Sequence, residues 1–184
     1  NLKPLDPQAA IGRVQIGRLP RFIEARRENW ERLRRGLHGL EDFIEFALPT
    51  HAVAWNPPVD LSSPPESNFT WDESGCRTDC SWFGFKMTIK EGAPFTRTEL
   101  ATHLDEKKIG NRMLFGGNLV RQPAFVRLAQ DSPGAMRILG KLAGADRIMN
   151  QTMFLGTYPG LTPDMIDYII KTVRGFVGRL TVAQ

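Results

Sequence analysis

The sequence predicts an α/β fold: a long helix at the start, short apolar strands in the middle and an amphipathic helix at the end. Three observations carry this. Apolar residues recur at helical spacing from Ile11 through Val14, Leu19, Phe22, Ile23, Trp30 and Leu33 to Leu37. Trp82 to Ile89 alternates and is aromatic, as half-buried strands are. Ile166, Ile169, Ile170, Val173 and Val177 fall on one apolar helical face. With 184 residues, 41% hydrophobic and 24% charged, the chain has the composition of a globular piece that can bury a sizeable core.

Each element has a local cause. Asp6-Pro7 starts the first helix, because Asp caps free N–H groups and Pro fits the first turn. Pro20 lies inside the periodic run and predicts a kink or break near Leu19. Gly36 and Gly39 end the pattern, and a short strand is expected over Phe43 to Leu48. Thr50 to Cys80 has no clear period and crowds four prolines between Asn56 and Pro65, so it reads as a long Pro/Ser-rich loop. Thr96-Arg97-Thr98-Glu99 is a capping box and opens a helix to about Asp105. A strand is expected over Arg112 to Phe115 and a short helix from Pro123. Another helix is expected over Asp146 to Thr152, and a last one begins at Thr162-Pro163.

Charge and ligand counts exclude several functions. The net charge of +4 is mild. In the densest basic run, Arg26 to Arg35, Glu28 and Glu31 interleave. Glu28 with Arg32 and Glu31 with Arg34 have the spacing of ion pairs on a solvated helix, not of a nucleic-acid face. No apolar run approaches the roughly 18 residues of a membrane-spanning helix. Two cysteines do not make a disulfide scaffold. Cys76 and Cys80 offer two thiolates where structural zinc or a [2Fe–2S] cluster takes four ligands. His38, His51 and His103 share no motif, and Asn68-Phe69-Thr70 is a glycosylation sequon without other signs of secretion. Asn-Leu-Lys-Pro at the start carries neither an initiator Met nor a signal-peptide pattern. The expectation is a truncated chain and, by default, a cytoplasmic one.

The most informative stretch runs from Lys108 to Phe125. It passes from a helix end through a short strand into the Gly116-Gly117 turn, followed by Asn118, Arg121 and Gln122. Adjacent glycines allow a tight turn or a close approach to a ligand. Two amides and a guanidinium beside such a turn suit an anionic, oxygen-rich ligand. On spacing alone, a solvated strand-to-helix turn is the blander alternative.

Four blocks resemble a known family. They are Asn1-Leu2-Lys3 through Gly12, Ser81-Trp82-Phe83-Gly84-Phe85, the 108–125 stretch, and Asp146 to Thr152 with Tyr158-Pro159-Gly160-Leu161-Thr162. Together they resemble the C-terminal part of the vitamin-B6-dependent DegT/DnrJ/StrS sugar-nucleotide aminotransferases and dehydratases. The nearest branch is the CDP-4-dehydro-6-deoxyglucose 3-dehydratases of lipopolysaccharide O-antigen synthesis. Aminotransferases of the group tend to show Tyr-Pro-x-Pro-Leu-His-x-Gln where this chain has Phe115 to Gln122. Val120 in place of their histidine, with Asn118 and Arg121 gained, points to the dehydratases.

The resemblance implies the small C-terminal domain of the aspartate-aminotransferase-type fold, with a small antiparallel sheet flanked by helices. Residues 1–37 would be the linking helix region. Residues 38–184 would be the small domain, with an insertion at about 50–80. The implied cofactor is pyridoxal or pyridoxamine 5'-phosphate, an electron sink while a C3 hydroxyl leaves a nucleotide-linked 4-dehydro-6-deoxy sugar. Asn1 matches a contact to the cofactor phosphate. Arg112 and Phe115 match positions near the substrate pocket, and Asn118, Arg121 and Gln122 join them as substrate-binding candidates. The catalytic lysine or histidine, and the cysteines of an iron–sulfur cluster found in some members, would lie upstream of Asn1. A homodimer and a reductase partner are further implications. This chain alone is then expected to be inactive. An aminotransferase of the same group and a non-catalytic module are the alternatives.

Overall fold

The computed structural model describes residues 3, 5–57 and 68–181. In chain order the elements are α1 (Asp6–Gly36), β1 (Ile44–Phe46), β2 (Ala52–Trp55), β3 (Phe69–Trp71), β4 (Gly84–Ile89), α2 (Arg97–Glu106), β5 (Asn111–Met113), a 3-10 turn (Leu119–Arg121), α3 (Pro123–Asp131), α4 (Ala143–Gln151), β6 (Thr152–Gly156) and α5 (Pro163–Thr181). They form two compact units. One holds residues 1–36, 48–84 and 157–167; the other holds 37–47, 85–156 and 168–184.

In the first unit α1 runs unbroken past Pro20, so the expected break does not occur. Its early apolar positions Ile11, Val14 and Leu19 stay exposed, while Asn29 to Arg34 is largely buried. The expected solvated basic face is therefore corrected. Among the described residues, Trp55, Asn68 and residues 79–83 meet it, and the arginines of the run act over long range. Arg27 pairs with Asp79 and donates to the Cys80 carbonyl, and Arg26 donates to the Trp82 carbonyl at 3.1 Å. Arg32 forms a bidentate pair with Asp167 at 2.6 and 2.8 Å. Trp82 stacks on Trp30 with centroids 4.4 Å apart.

The same segment is not structureless. β2 and β3 pair antiparallel, with Trp55 opposite Phe69 and Ala52 opposite Trp71. Buried Glu31 accepts from Trp55 Nε1 at 3.4 Å and Asn68 Nδ2 at 3.2 Å, while the Arg34 guanidinium lies 4.1 Å over the Trp55 ring. The hairpin is thus tied to α1 by a carboxyl and a cation–π contact. Burial pushes the Glu31 carboxyl above its ordinary value, against the opposing pull of Trp55 and the neighbouring arginines.

The second unit is a four-stranded sheet in the order β1-β4-β6-β5 with helices against it. β1 pairs antiparallel with β4, and β5 with β6. Its core includes Leu37, Ile44, Phe85, Met87, Leu100, Leu104, Met153, Leu155 and Val173, all fully buried. The capping box at Thr96 forms as the sequence predicts. Its side chain accepts from the Glu99 N–H, and the Glu99 carboxylate accepts from the Thr96 N–H. Thr162 caps α5 by accepting from the Met165 N–H. The expected Ile166, Ile169, Val173 and Val177 are buried, with Ile170 half-buried.

Several boundaries move. The strand expected over Arg112 to Phe115 ends at Met113, because Phe115 takes a positive φ of 49° that no strand accommodates. The helix expected over Asp146 to Thr152 starts at Ala143 and stops at Gln151. Thr152 instead opens β6, a strand the sequence reading lacked. The Thr152 hydroxyl is buried against Thr88 of β4 at 2.9 Å, so both polar groups are satisfied.

Candidate functional site

The predicted site residues from Arg112 to Gln122 lie on β5 and on the turn of the second unit between β5 and α3. Its base is rigid. Asn111, at the start of β5, donates to the Ala101 carbonyl and to Asp105 Oδ1, which pins the strand to α2. Arg112 follows on the exposed side, its Nη1 donating to the Asn111 carbonyl at 3.1 Å. β5 then gives way to the turn, where Phe115 stands 77% exposed with its ring 6.0 Å from that of Phe154.

Gly117 permits the next step. Its φ is +61°, and an added Cβ would meet the Met149 side chain at 2.6 Å and its Cα at 3.1 Å. Only a residue without Cβ lets the turn press on α4 here. Gln122 closes the loop by donating from Nε2 to the Gly116 carbonyl at 2.7 Å. Pro123 then opens α3 at its first position.

Asn118, Arg121 and Asp146 form the charged centre of the turn. Asn118 is buried, with 2% of its surface exposed. Its Oδ1 accepts from the Val120 N–H at 3.3 Å, and its Nδ2 donates to Asp146 Oδ1 at 2.7 Å. Arg121 donates from Nε to Oδ1 at 2.9 Å and from Nη2 to Oδ2 at 2.8 Å, a bidentate fork. The Arg121 bonds, followed by that of Asn118, hold the Asp146 carboxyl down to about 2. Asp146 falls in one of the family-like blocks of the sequence, but nothing local ties it to the turn. Its place in the first turn of α4 is visible in sequence, but its partners lie 28 and 25 positions away.

The turn thus joins Asn118 and Arg121 through Asp146 and ties Gln122 to Gly116, while Arg112 stays on β5 against the Asn111 carbonyl and the Phe115 ring lies beside Phe154. Asn1, the candidate for cofactor phosphate, lies outside the described residues. The histidines stand apart from the turn's bonds. His38 meets Glu41 at 3.0 Å. His103 lies against Phe176 and Arg179, with its pKa lowered first by desolvation and then by Arg179. His51 contacts Asp72 and Ser74 through the same Nδ1, so the three do not form a proton relay. Among the described residues, no group of three or more His, Cys, Asp or Glu is placed to hold a metal, and no helix is long and apolar enough to cross a membrane.

A small antiparallel sheet with flanking helices carries a glycine turn set against α4 and a carboxylate-held arginine. Residues 1–174 match the DegT/DnrJ/EryC1/StrS aminotransferase family, and the chain belongs to it. It is similar to the lipopolysaccharide biosynthesis protein RfbH of Salmonella typhimurium, with 38% identity over 97% of this chain and 34% of that protein. It is also similar to the dTDP-4-dehydro-2,6-dideoxy-D-glucose 3-dehydratase of Saccharopolyspora spinosa, with 37% identity over 97% of this chain and 32% of that one. The chain therefore spans about a third of the length of these relatives.

Solved structures show the same fold. An E. coli GDP-4-keto-6-deoxy-D-mannose-3-dehydratase with bound hydrated PLP superposes with a TM-score of 0.68 at 22% identity, over 94% of this chain and 36% of that one. The aminotransferase TlmJ from Streptoalloteichus hindustanus gives 0.62 at 22% identity, over 94% and 36%. The fold is thus the α/β aminotransferase type expected from the resemblance. The turn's carboxylate is already bound to its own arginine, and the histidines sit in separate contacts.

Proposed function

We propose that this chain is the C-terminal portion of a vitamin-B6-dependent sugar-nucleotide 3-dehydratase of deoxysugar and O-antigen lipopolysaccharide synthesis. The observation that carries the reading is similarity at 37–38% identity, along 97% of the chain, to a lipopolysaccharide biosynthesis protein and a sugar 3-dehydratase. When bound, pyridoxal or pyridoxamine phosphate would supply the electron sink, held with Asn1 and by residues outside this chain. The present residues would supply one wall for a nucleotide-linked 4-dehydro-6-deoxy sugar. Arg112 and Arg121 present exposed guanidinium groups suited to phosphate. Phe115 offers an exposed ring face, and Asn118 and Gln122 hold the turn that carries them. The working unit is read as a cytoplasmic homodimer served by a reductase, with any [2Fe–2S] ligands outside this chain.

A second reading, aminotransfer, is favoured by the match of residues 1–174 to a family described by its aminotransferases. The test gives the intact protein the cofactor and a nucleotide-linked 4-dehydro-6-deoxy sugar, with and without glutamate. Loss of the C3 hydroxyl, whether glutamate or the reductase supplies the electrons, supports dehydration; a glutamate-dependent amino sugar that keeps its C3 hydroxyl supports transfer and overturns it. Arg121→Ala is expected to raise KM and leave cofactor absorbance intact.

A further inference from the structure

We propose that Asp146 is a positioning residue: it orients the Arg121 guanidinium, and braces Asn118 behind it, so that the outer edge of Arg121 meets the diphosphate of the ligand. This rests on the sugar-nucleotide reading above. Three features of the geometry support it. Asp146 takes Nε and Nη2 of Arg121, two of the five N–H donors on a guanidinium, and so fixes its plane and leaves the remaining donors beyond the fork. The Arg121 side chain is nevertheless 59% exposed, so those donors lie on an accessible group. Asn118, buried on the same carboxylate oxygen, also caps the 3-10 turn that carries Arg121. One carboxylate therefore sets both the backbone and the side chain of the proposed anion contact.

A long flexible arginine loses rotamer entropy when it binds a phosphate, and one already held in a fork loses less. Asp146 also lowers the local positive charge. The turn then selects a ligand by the geometry of its oxygens rather than drawing in any anion.

The test is calorimetric, on the intact protein, with CDP, dTDP and GDP as probes beside the uncharged cytidine, thymidine and guanosine. Asp146→Asn and Arg121→Ala are each expected to weaken diphosphate binding by about tenfold or more and leave the nucleoside within about twofold. The double variant should be no weaker than the weaker single one, because both changes remove one device. Asp146→Glu, which keeps the charge, should recover part of the loss. If Arg121→Ala weakens diphosphate binding and Asp146→Asn does not, or if the losses multiply, the positioning role is wrong and the site reading survives. Equal weakening of nucleoside and diphosphate also overturns it, since that is the mark of a disordered turn. If no diphosphate binds, or Arg112→Ala, Phe115→Ala and Arg121→Ala all leave binding unchanged, the sugar-nucleotide reading is itself wrong and this inference falls with it. Should Asp146→Asn fail to fold, the Arg121 Nε–H resonance of the wild type decides. Slow exchange and a shift on adding diphosphate support the proposal; exchange as fast as free arginine refutes it.

Discussion

Gly117→Ala tests whether the turn depends on the close approach of its backbone to α4. Two costs add at this position. The backbone holds φ at +61°, where an L side chain costs about 1–2 kcal/mol. The new methyl would also lie 2.6 Å from Met149 Cγ, 2.7 Å from its Cβ and 3.1 Å from its Cα. The side chain can rotate, but the helix backbone has to shift, and overpacking of that kind costs about 1–3 kcal/mol. Alanine returns about 0.4–1 kcal/mol by restricting the unfolded chain, leaving a net loss of about 2–4 kcal/mol. Gly140→Ala separates the two costs. Its φ is +75° with no atom within 4 Å of the new Cβ, so it should lose only about 1 kcal/mol. Urea unfolding followed by far-ultraviolet circular dichroism, with amide exchange of α4 and β6, gives both values. If Gly117→Ala is no worse than Gly140→Ala, α4 is not held against the turn and the described site loses its floor.

Three more outcomes follow from the same contacts. Thr96→Ala should lower stability by about 1 kcal/mol, read as a shift in urea midpoint, because it removes half of the α2 capping box. Glu31 has a folded-state pKa raised by burial, so its contribution is present below the ordinary carboxylate value of 4.5 and is lost as pH rises through the raised one. Wild type should therefore gain stability relative to Glu31→Gln when pH falls from 7 toward 5, and a parallel pair of pH–midpoint curves would contradict the burial argument. Asp146 has the opposite sign. Its pKa falls from 3.8 to about 2, so stability is present above 3.8 and lost as pH drops toward 2. Asp146→Asn should flatten that acid limb, seen in the same titration.

How much was legible depended on how local each cause was. Thr96 with Glu99 and Thr162 with Pro163 act within four residues, and both helix starts stand where the sequence puts them. The Asn118, Arg121 and Gln122 group was legible as a turn for the same reason. β6 was not, because Gln151 passes into Thr152 with no glycine or proline between helix and strand. The β2–β3 hairpin was hidden because its few residues draw their order from Trp30 and Glu31, far back in the chain. Asp146 could be seen as a residue but not as a partner, since only the folded second unit brings α4 beside the turn.

All four tryptophans, Trp30, Trp55, Trp71 and Trp82, belong to the first unit, while the second carries Tyr168 and no indole. Intrinsic fluorescence is consequently a private signal. Its emission will report directly on the Trp30–Trp82 stack and the hairpin, and on melting around Gly117 or Asp146 only where that melting also disturbs those rings. A smooth single transition in that channel does not by itself report on the turn. An indole introduced on β6 or α3 would give the silent half its own lamp.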